Sequence, residues 1–231
     1  MKKIFAILLV VSMVFALAAC GSDKEGNSGL LGNYNGGSDK EGNSGLLGNN
    51  NGSSVTLSRM KLTRGTIIGD VYTNISMGIT FTKGDSWEYY TDEELAELMG
   101  TTTEMMGVDY EQLLENTGSV YDMMVIDNNT GSNVLVMVED LKASGSGGMS
   151  ESAYLDNLQT MLNMTGVDYS FGSRSKVSIC GNQYVSLTAT SNQYGMDMEQ
   201  VYYVRIVDDY VFGIIITLVG TPVSDILPMF S

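Results

Sequence analysis

Any chemistry in this chain has to be done without histidine, because its 231 residues contain none. That removes the side chain most used as a general base near neutral pH and the commonest transition-metal ligand. Ser-His-Asp and Cys-His nucleophile systems go with it, and a zinc enzyme loses its usual donor. Carboxylates and two cysteines remain. Asp92, Glu93, Glu94 and Glu97 are the densest acids, and such a cluster could supply an acid/base pair or oxygen ligands for Ca²⁺. The same residues follow Thr91 at the head of an apolar-periodic run, where carboxylates cap a helix and meet its positive end. That structural role accounts for them. Asp127-Asn128-Asn129-Thr130-Gly131-Ser132-Asn133 has the composition of a calcium loop, but its spacing is wrong and no Glu stands at the twelfth position, so it reads as a turn. Gly145-Ser146-Gly147-Gly148 lacks the Lys-Ser/Thr of a phosphate-binding loop. No catalytic residue, metal site or cofactor is expected from these groups, and the chain reads as no enzyme.

The aromatic residues are a softer signal. Trp87, Tyr89 and Tyr90 cluster in sequence, and exposed Trp and Tyr anchor interfaces; the three are a candidate interaction patch. Tyr202 and Tyr203 must point to opposite faces of a strand. Most of the methionines fall in helix and strand patterns, where flexible core filling is the default role.

Met1-Lys2-Lys3 is followed by a nearly continuous apolar run from Ile4 to Ala19, broken only by Ser12. This order is that of a secretory signal. Leu17-Ala18-Ala19-Cys20 resembles the lipobox of bacterial lipoproteins. The resemblance implies cleavage between Ala19 and Cys20 and a diacylglycerol on Cys20 Sγ. Two acyl chains give stable anchoring where one is marginal. The rival, an uncleaved membrane helix, is short for a hydrocarbon core of roughly 30 Å and has no basic stop after Cys20. With Cys20 lipidated, Cys180 is the only free thiol and no internal disulfide can form. Cys180 ends the strand-like Lys176–Cys180 and reads as a small buried hydrophobe, with a reactive thiol the alternative.

Residues 21–36 and 37–52 are two copies of one 16-residue unit that differ only at Tyr34 and Asn50. Segments this rich in Gly, Asn and Ser cannot build a core. They read as a flexible linker over 20–55, with a root-mean-square reach on the order of 30–35 Å. The alternative is a recognition tract anchored by the Leu pairs at 30–31 and 46–47.

Residues 56–231 are long enough for one domain with a real core. The patterning predicts a hairpin about Gly69-Asp70 and a strand at Met77–Thr82. Thr91 to Glu94 form a capping box that opens a helix ending at Gly100. Thr103–Met106 adds a turn, and Asp109 caps a short helix to Glu115. Ser119–Asp127 and Asn133–Asp140 form a hairpin. Ser150 caps a helix to Met164 with Tyr154, Leu155, Leu158, Met161 and Leu162 on one face. Strands follow at Val177–Cys180, Gln183–Thr190, Met198–Val207 and Tyr210–Val219, the last pair turning at Asp208-Asp209. Thr221-Pro222 starts a final helix that Pro228 ends. Tight turns make neighbours antiparallel, so the class is α+β, one antiparallel sheet flanked by helices.

Arg64-Gly65-Thr66, Val71-Tyr72-Thr73-Asn74, Gly78-Ile79-Thr80-Phe81 and Trp87, with the acidic helix after them, resemble a group of uncharacterised lipoproteins of Gram-positive bacteria. Cys180-Gly181, Gln200-Val201-Tyr202-Tyr203-Val204-Arg205 and the apolar last strand with its short helix continue the likeness. It covers about residues 60–230. It implies the PsbP-like fold, an α/β/α sandwich around an antiparallel sheet, shared by a photosystem subunit, a Ran-binding protein and envelope lipoproteins. Lys83-Gly84-Asp85-Ser86-Trp87 departs from the Pro-x-Gly-Trp turn of the group.

Formal charge is −15, and loss of Lys2 and Lys3 with the signal takes it to −17. Such a surface repels nucleic-acid phosphates and is held off anionic headgroups. Nucleic acid is therefore excluded as a partner, and the covalent lipid on Cys20 is the one membrane link expected. The whole predicts a lipid-anchored protein on the extracytoplasmic face of the cell membrane. Its domain is read as a non-catalytic module that binds an envelope protein or a wall component. A carrier of a small apolar ligand, or a carboxylate-only hydrolase such as a glycosidase, is the alternative.

Overall fold

A computed structural model of the chain describes residues 59–193 and 195–231. The signal segment, Ala19, Cys20 and both repeats lie outside the described residues.

Gly69, at φ 60°, turns β1 (Thr66–Ile68) into β2 (Val71–Asn74), and Gly78 precedes β3 (Ile79–Thr82). These strands form a small antiparallel sheet. β4 (Trp87–Tyr89) leads to α1 (Asp92–Leu98), which starts on the expected capping box. Thr91 Oγ1 accepts from the Glu94 N–H, and Glu94 Oε2 accepts from the Thr91 N–H. Two short helices follow, α2 (Thr103–Met106) and α3 (Tyr110–Thr117), the latter capped by Asp109. β5 (Ser119–Asp127) and β6 (Asn133–Asp140) pair through a turn that Asp127 holds, accepting from the Asn129 N–H and the Thr130 hydroxyl. α4 (Glu151–Met164) begins at Ser150 as expected. Then come β7 (Tyr169–Phe171), β8 (Ser175–Ile179), β9 (Asn182–Gln193), β10 (Met196–Val207) and β11 (Tyr210–Leu218).

Three local readings are corrected. Cys180 is not the last residue of a strand. With Gly181 it forms the turn between β8 and β9, at φ 49° and 74°. β7 was not foreseen. In the last helix, α5 (Val223–Ile226), Pro222 rather than Thr221 holds the cap position, without a side-chain hydrogen bond, and Pro228 lies inside the following 3₁₀ turn.

The large sheet runs β4-β5-β6-β11-β10-β9-β7, with β8 also paired to β9, and every pairing is antiparallel. On one face α4 lays Tyr154, Leu155, Leu158 and Leu162 against Leu187, Ala189, Tyr202, Val204 and Val211. The other face differs from a helix-flanked sandwich. There β2, β3 and the C-terminal segment join Tyr72, Phe81 and Phe230 to Val201, Tyr203, Phe212 and Ile214 in one core. Helices α1 to α3 gather beside β5, where Met99 Sδ accepts from the Tyr121 N–H and so covers part of a sheet edge. The architecture is α+β around an antiparallel sheet, with a helix on one face and a second, smaller sheet on the other.

Leu155 is fully buried where α4 meets the sheet. Truncating it removes that contact and leaves a cavity. Leu155→Ala is expected to cost about 2–5 kcal/mol, read as a lower denaturant midpoint at unchanged slope.

Candidate functional site

The structure sorts the polar residues into two kinds, those sealed inside and those lining an open groove.

Asp122 heads the first kind. It sits where the β5–β6 register slips between Tyr121 and Met123, a bulge that leaves Asp122 without a partner across the ladder. Its carboxylate is buried, and Oδ2 accepts from the Tyr72 hydroxyl, the Asn74 amide (2.8 Å) and the Gly65 N–H (2.9 Å). Gly65 is required for that approach, since a Cβ there would lie 2.3 Å from Tyr72 Cε2 and 2.6 Å from Oδ2. Burial, and then the Asp122 charge, push the Tyr72 and Tyr110 hydroxyls well above their ordinary pKa. Both therefore stay protonated, and Tyr72 donates to Oδ2. At the mouth of this cluster Arg64 pairs with Asp92 through both guanidinium ends, at 2.6 and 3.1 Å.

The opposite face has a counterpart. Glu139 on β6 is buried and accepts from the Tyr154 hydroxyl of α4 at 2.7 Å. Desolvation raises the Glu139 pKa, the Tyr154 bond opposes this, and neighbouring Asp140 adds to the rise.

The aromatic trio named from sequence does not form an exposed patch. Trp87 and Tyr90 are buried, and Tyr89 is half-buried with its hydroxyl donating to the Asp70 carbonyl at 3.1 Å. The Trp87 ring meets Phe81 edge-on, and Phe81 in turn meets Phe230. Alternation along a three-residue strand sends Trp87 into the core, and the bulk of a large ring favours that placement. Burial lifts the Tyr89 and Tyr90 hydroxyls to about 12. Tyr202 and Tyr203 do take opposite faces, and both are buried. Cys180 is half-buried, with Sγ 3.7 Å from the Thr80 carbonyl. Of the acidic residues of α1, Glu94 serves the cap and Asp92 pairs with Arg64.

An open groove of about 720 Å³ lies at one end of the large sheet. The register builds its floor. Ser170, Thr190, Glu199 and Leu218 stand side by side on four neighbouring strands, and Asn192 faces Asp197 one step along. The Asn192 amide donates to Asp197 Oδ1 at 2.7 Å. Chain from Gly220 to Ser224 forms the other wall, and Asp168 stands at the rim. Three carboxylates and a set of hydroxyls line the groove, with no Lys or Arg among its residues. Such a surface can accept hydrogen bonds and favours a positively charged or polyhydroxylated guest. Sequence reasoning missed it because its residues come from four strand ends and a loop, each unremarkable alone.

No family model and no curated protein matches the chain. Among solved structures it is similar to CyanoP, the cyanobacterial PsbP of Synechocystis sp. PCC 6803. The TM-score is 0.43 and the identity 11%, over 74% of this chain and 98% of that one. It is also similar to PA94 of Pseudomonas aeruginosa, at TM-score 0.27 and 16% identity, over 38% of this chain and 60% of that one. At these TM-scores neither likeness decides fold or activity, and the architecture rests on the strand order and register above.

The Glu139 shift has a sign. A carboxyl whose folded pKa lies above its ordinary 4.5 binds its proton more tightly when folded. Its contribution is fully present below 4.5 and is lost as pH rises through the folded value. The native chain is therefore expected to lose stability as pH climbs from 4.5 toward neutrality. Glu139→Gln should flatten that part of the profile in denaturant titrations at several pH values.

Proposed function

We propose that this chain is a lipid-anchored extracytoplasmic lipoprotein whose PsbP-like domain is a non-catalytic binding module working through the groove at the sheet end. The anchor half is supported by Leu17-Ala18-Ala19-Cys20 at the close of an apolar run. The binding half is carried by one observation, a groove lined by three carboxylates and many hydroxyls and by no cation. Its natural guest is a cationic, hydrogen-bonding segment of an envelope protein, or a wall component bearing amino groups. Lack of histidine supports a binding role over a catalytic one.

A carrier of a small apolar ligand calls for an enclosed apolar cavity, and this groove is open and rimmed by hydroxyls. A carboxylate-only hydrolase is the second reading, since Asp168, Asp197 and Glu199 share one opening. It requires two of them at roughly 5–10 Å across a substrate.

One experiment in intact cells addresses both halves. A photocrosslinking residue at Thr221, in the groove wall, is expected to give a discrete adduct that disappears in Asp197→Asn/Glu199→Gln. A probe at Asn163 on α4 should give none. The same cells carrying Cys20→Ser should release the chain to the medium and lose incorporated acyl label. An adduct indifferent to the groove carboxylates contradicts the binding half. Continued labelling of Cys20→Ser contradicts the anchor.

A further inference from the structure

Four of the six large apolar residues that stand exposed among the described residues fall between positions 67 and 75. Three of them form one tip. Ile68 faces Val71 directly across the β1–β2 hairpin, and Ile67 precedes them on the edge strand. Ile68 is 80% exposed, Ile67 43% and Val71 37%. β1 pairs on one side only, with β2, so no other strand covers this tip. Asp70, the one acid there, is held by Lys83 at 2.7 Å. The hairpin therefore shows water an aliphatic end whose charge is already neutralised.

Charge is distributed unevenly along the sequence of the domain. Residues 59–83 carry Arg59, Lys61, Arg64 and Lys83 against Asp70, a net +3 along the sequence, with Lys83 paired to Asp70 and Arg64 paired to Asp92 beyond the segment. The remaining residues, 84–231, carry four cations and 22 acids, a net −18. The stretch of the domain that follows residue 58 in sequence is thus repelled less by an anionic surface than the remainder. Thirty-nine residues separate Cys20 from Met60, and the hairpin begins six positions later. A linker of that length spans no more than roughly 130–140 Å even at full extension, so a domain anchored at Cys20 stays in the neighbourhood of the bilayer. Aliphatic side chains and basic residues together are the features that hold a protein in the headgroup region.

We propose that the β1–β2 hairpin seats Ile67, Ile68 and Val71 in the bilayer surface that carries the Cys20 lipid, turning the acidic remainder of the domain away from the headgroups. This rests on the lipid-anchor reading and adds a second contact to it. The covalent lipid is then not the sole membrane link, as the overall charge alone would suggest.

The test is made independent of whether cells lipidate Cys20. The mature chain carrying Cys180→Ser, with Cys20 as its only thiol, is coupled to a maleimide lipid in vesicles of phosphatidylcholine with a minority of phosphatidylglycerol. Amide hydrogen exchange is then compared with that of the same chain free in solution. Exchange over residues 66–72 should slow severalfold on tethering, while α4 is unchanged. Ile67→Ser/Ile68→Ser should abolish the slowing without altering the melting curve, since both side chains are exposed. Equal exchange in tethered and free chain overturns the proposal, as does slowing that survives the double substitution. Slowing that grows with protein concentration in free chain also overturns it, because it assigns the hairpin to a second copy of this chain. Finding no lipid on Cys20 from cells would sink the anchor reading, and it leaves this measurement able to stand or fall by itself.

Discussion

The fold turns on a single buried carboxylate. Asp122 occupies a bulge in β5, and its Oδ2 gathers donors from β2 and from the segment before β1. Burying a carboxylate costs several kcal/mol unless hydrogen bonds replace its water, and each donor to a charged acceptor returns about 1.5–3 kcal/mol. Three donors on one oxygen make the burial tenable only if the small sheet sits where it does. The carboxylate therefore fixes one sheet upon the other, where apolar contact alone would tolerate sliding. Glu139 and Tyr154 repeat the device on the opposite face, tying α4 to β6. Each outer layer is pinned to the central sheet by one carboxylate and one tyrosine hydroxyl.

This arrangement decides where function can reside. The interior acids Asp122 and Glu139 each accept from at least one donor, and Trp87, which looked available for recognition, packs against Phe81. The open features lie at the margins. The groove lies where β9, β10 and β11 end, and the aliphatic hairpin is the tip of the small sheet. The two differ in chemistry, one acidic and hydroxylated, the other apolar beside the basic start of the domain. The module proposed above, with one face toward lipid and another toward a cationic guest, would use that separation.

Much of the architecture was legible in the residues because local signals agreed with tertiary demands. Thr91 with Glu94, Ser150 and Asp109 announced three helix starts through side-chain capping. Asp208-Asp209 announced the last hairpin, both residues taking positive φ. What escaped the sequence was nonlocal. β7 is three residues long, and pairing with β9, rather than any pattern of its own, makes it a strand. Cys180 was read as strand because its neighbours are β-branched, yet the two-residue turn to β9 needs it at φ 49°. The second face was expected to carry helices. Hairpin patterns at 66–82 gave three strands, but nothing in their order says that they leave the main sheet to lie across it. Asp122 had left a trace, a lone charge inside the apolar run Val120–Ile126. Its partners could not be named because they stand about fifty positions upstream. The groove left no trace, since register across four strands assembles it.

The most direct measurement is a double-mutant cycle between Tyr72 and Asp122. Stabilities of the native chain, Tyr72→Phe, Asp122→Asn and the double variant would be taken from denaturant unfolding at neutral pH. If the carboxylate is the clamp between sheets, the coupling should be about 1.5–3 kcal/mol, and each single variant should be clearly destabilised. Additivity within about 0.5 kcal/mol, with Asp122→Asn as stable as the native chain, would contradict the account. It would mean that the small sheet is held by apolar contact alone and that the carboxylate is kept for something other than the fold.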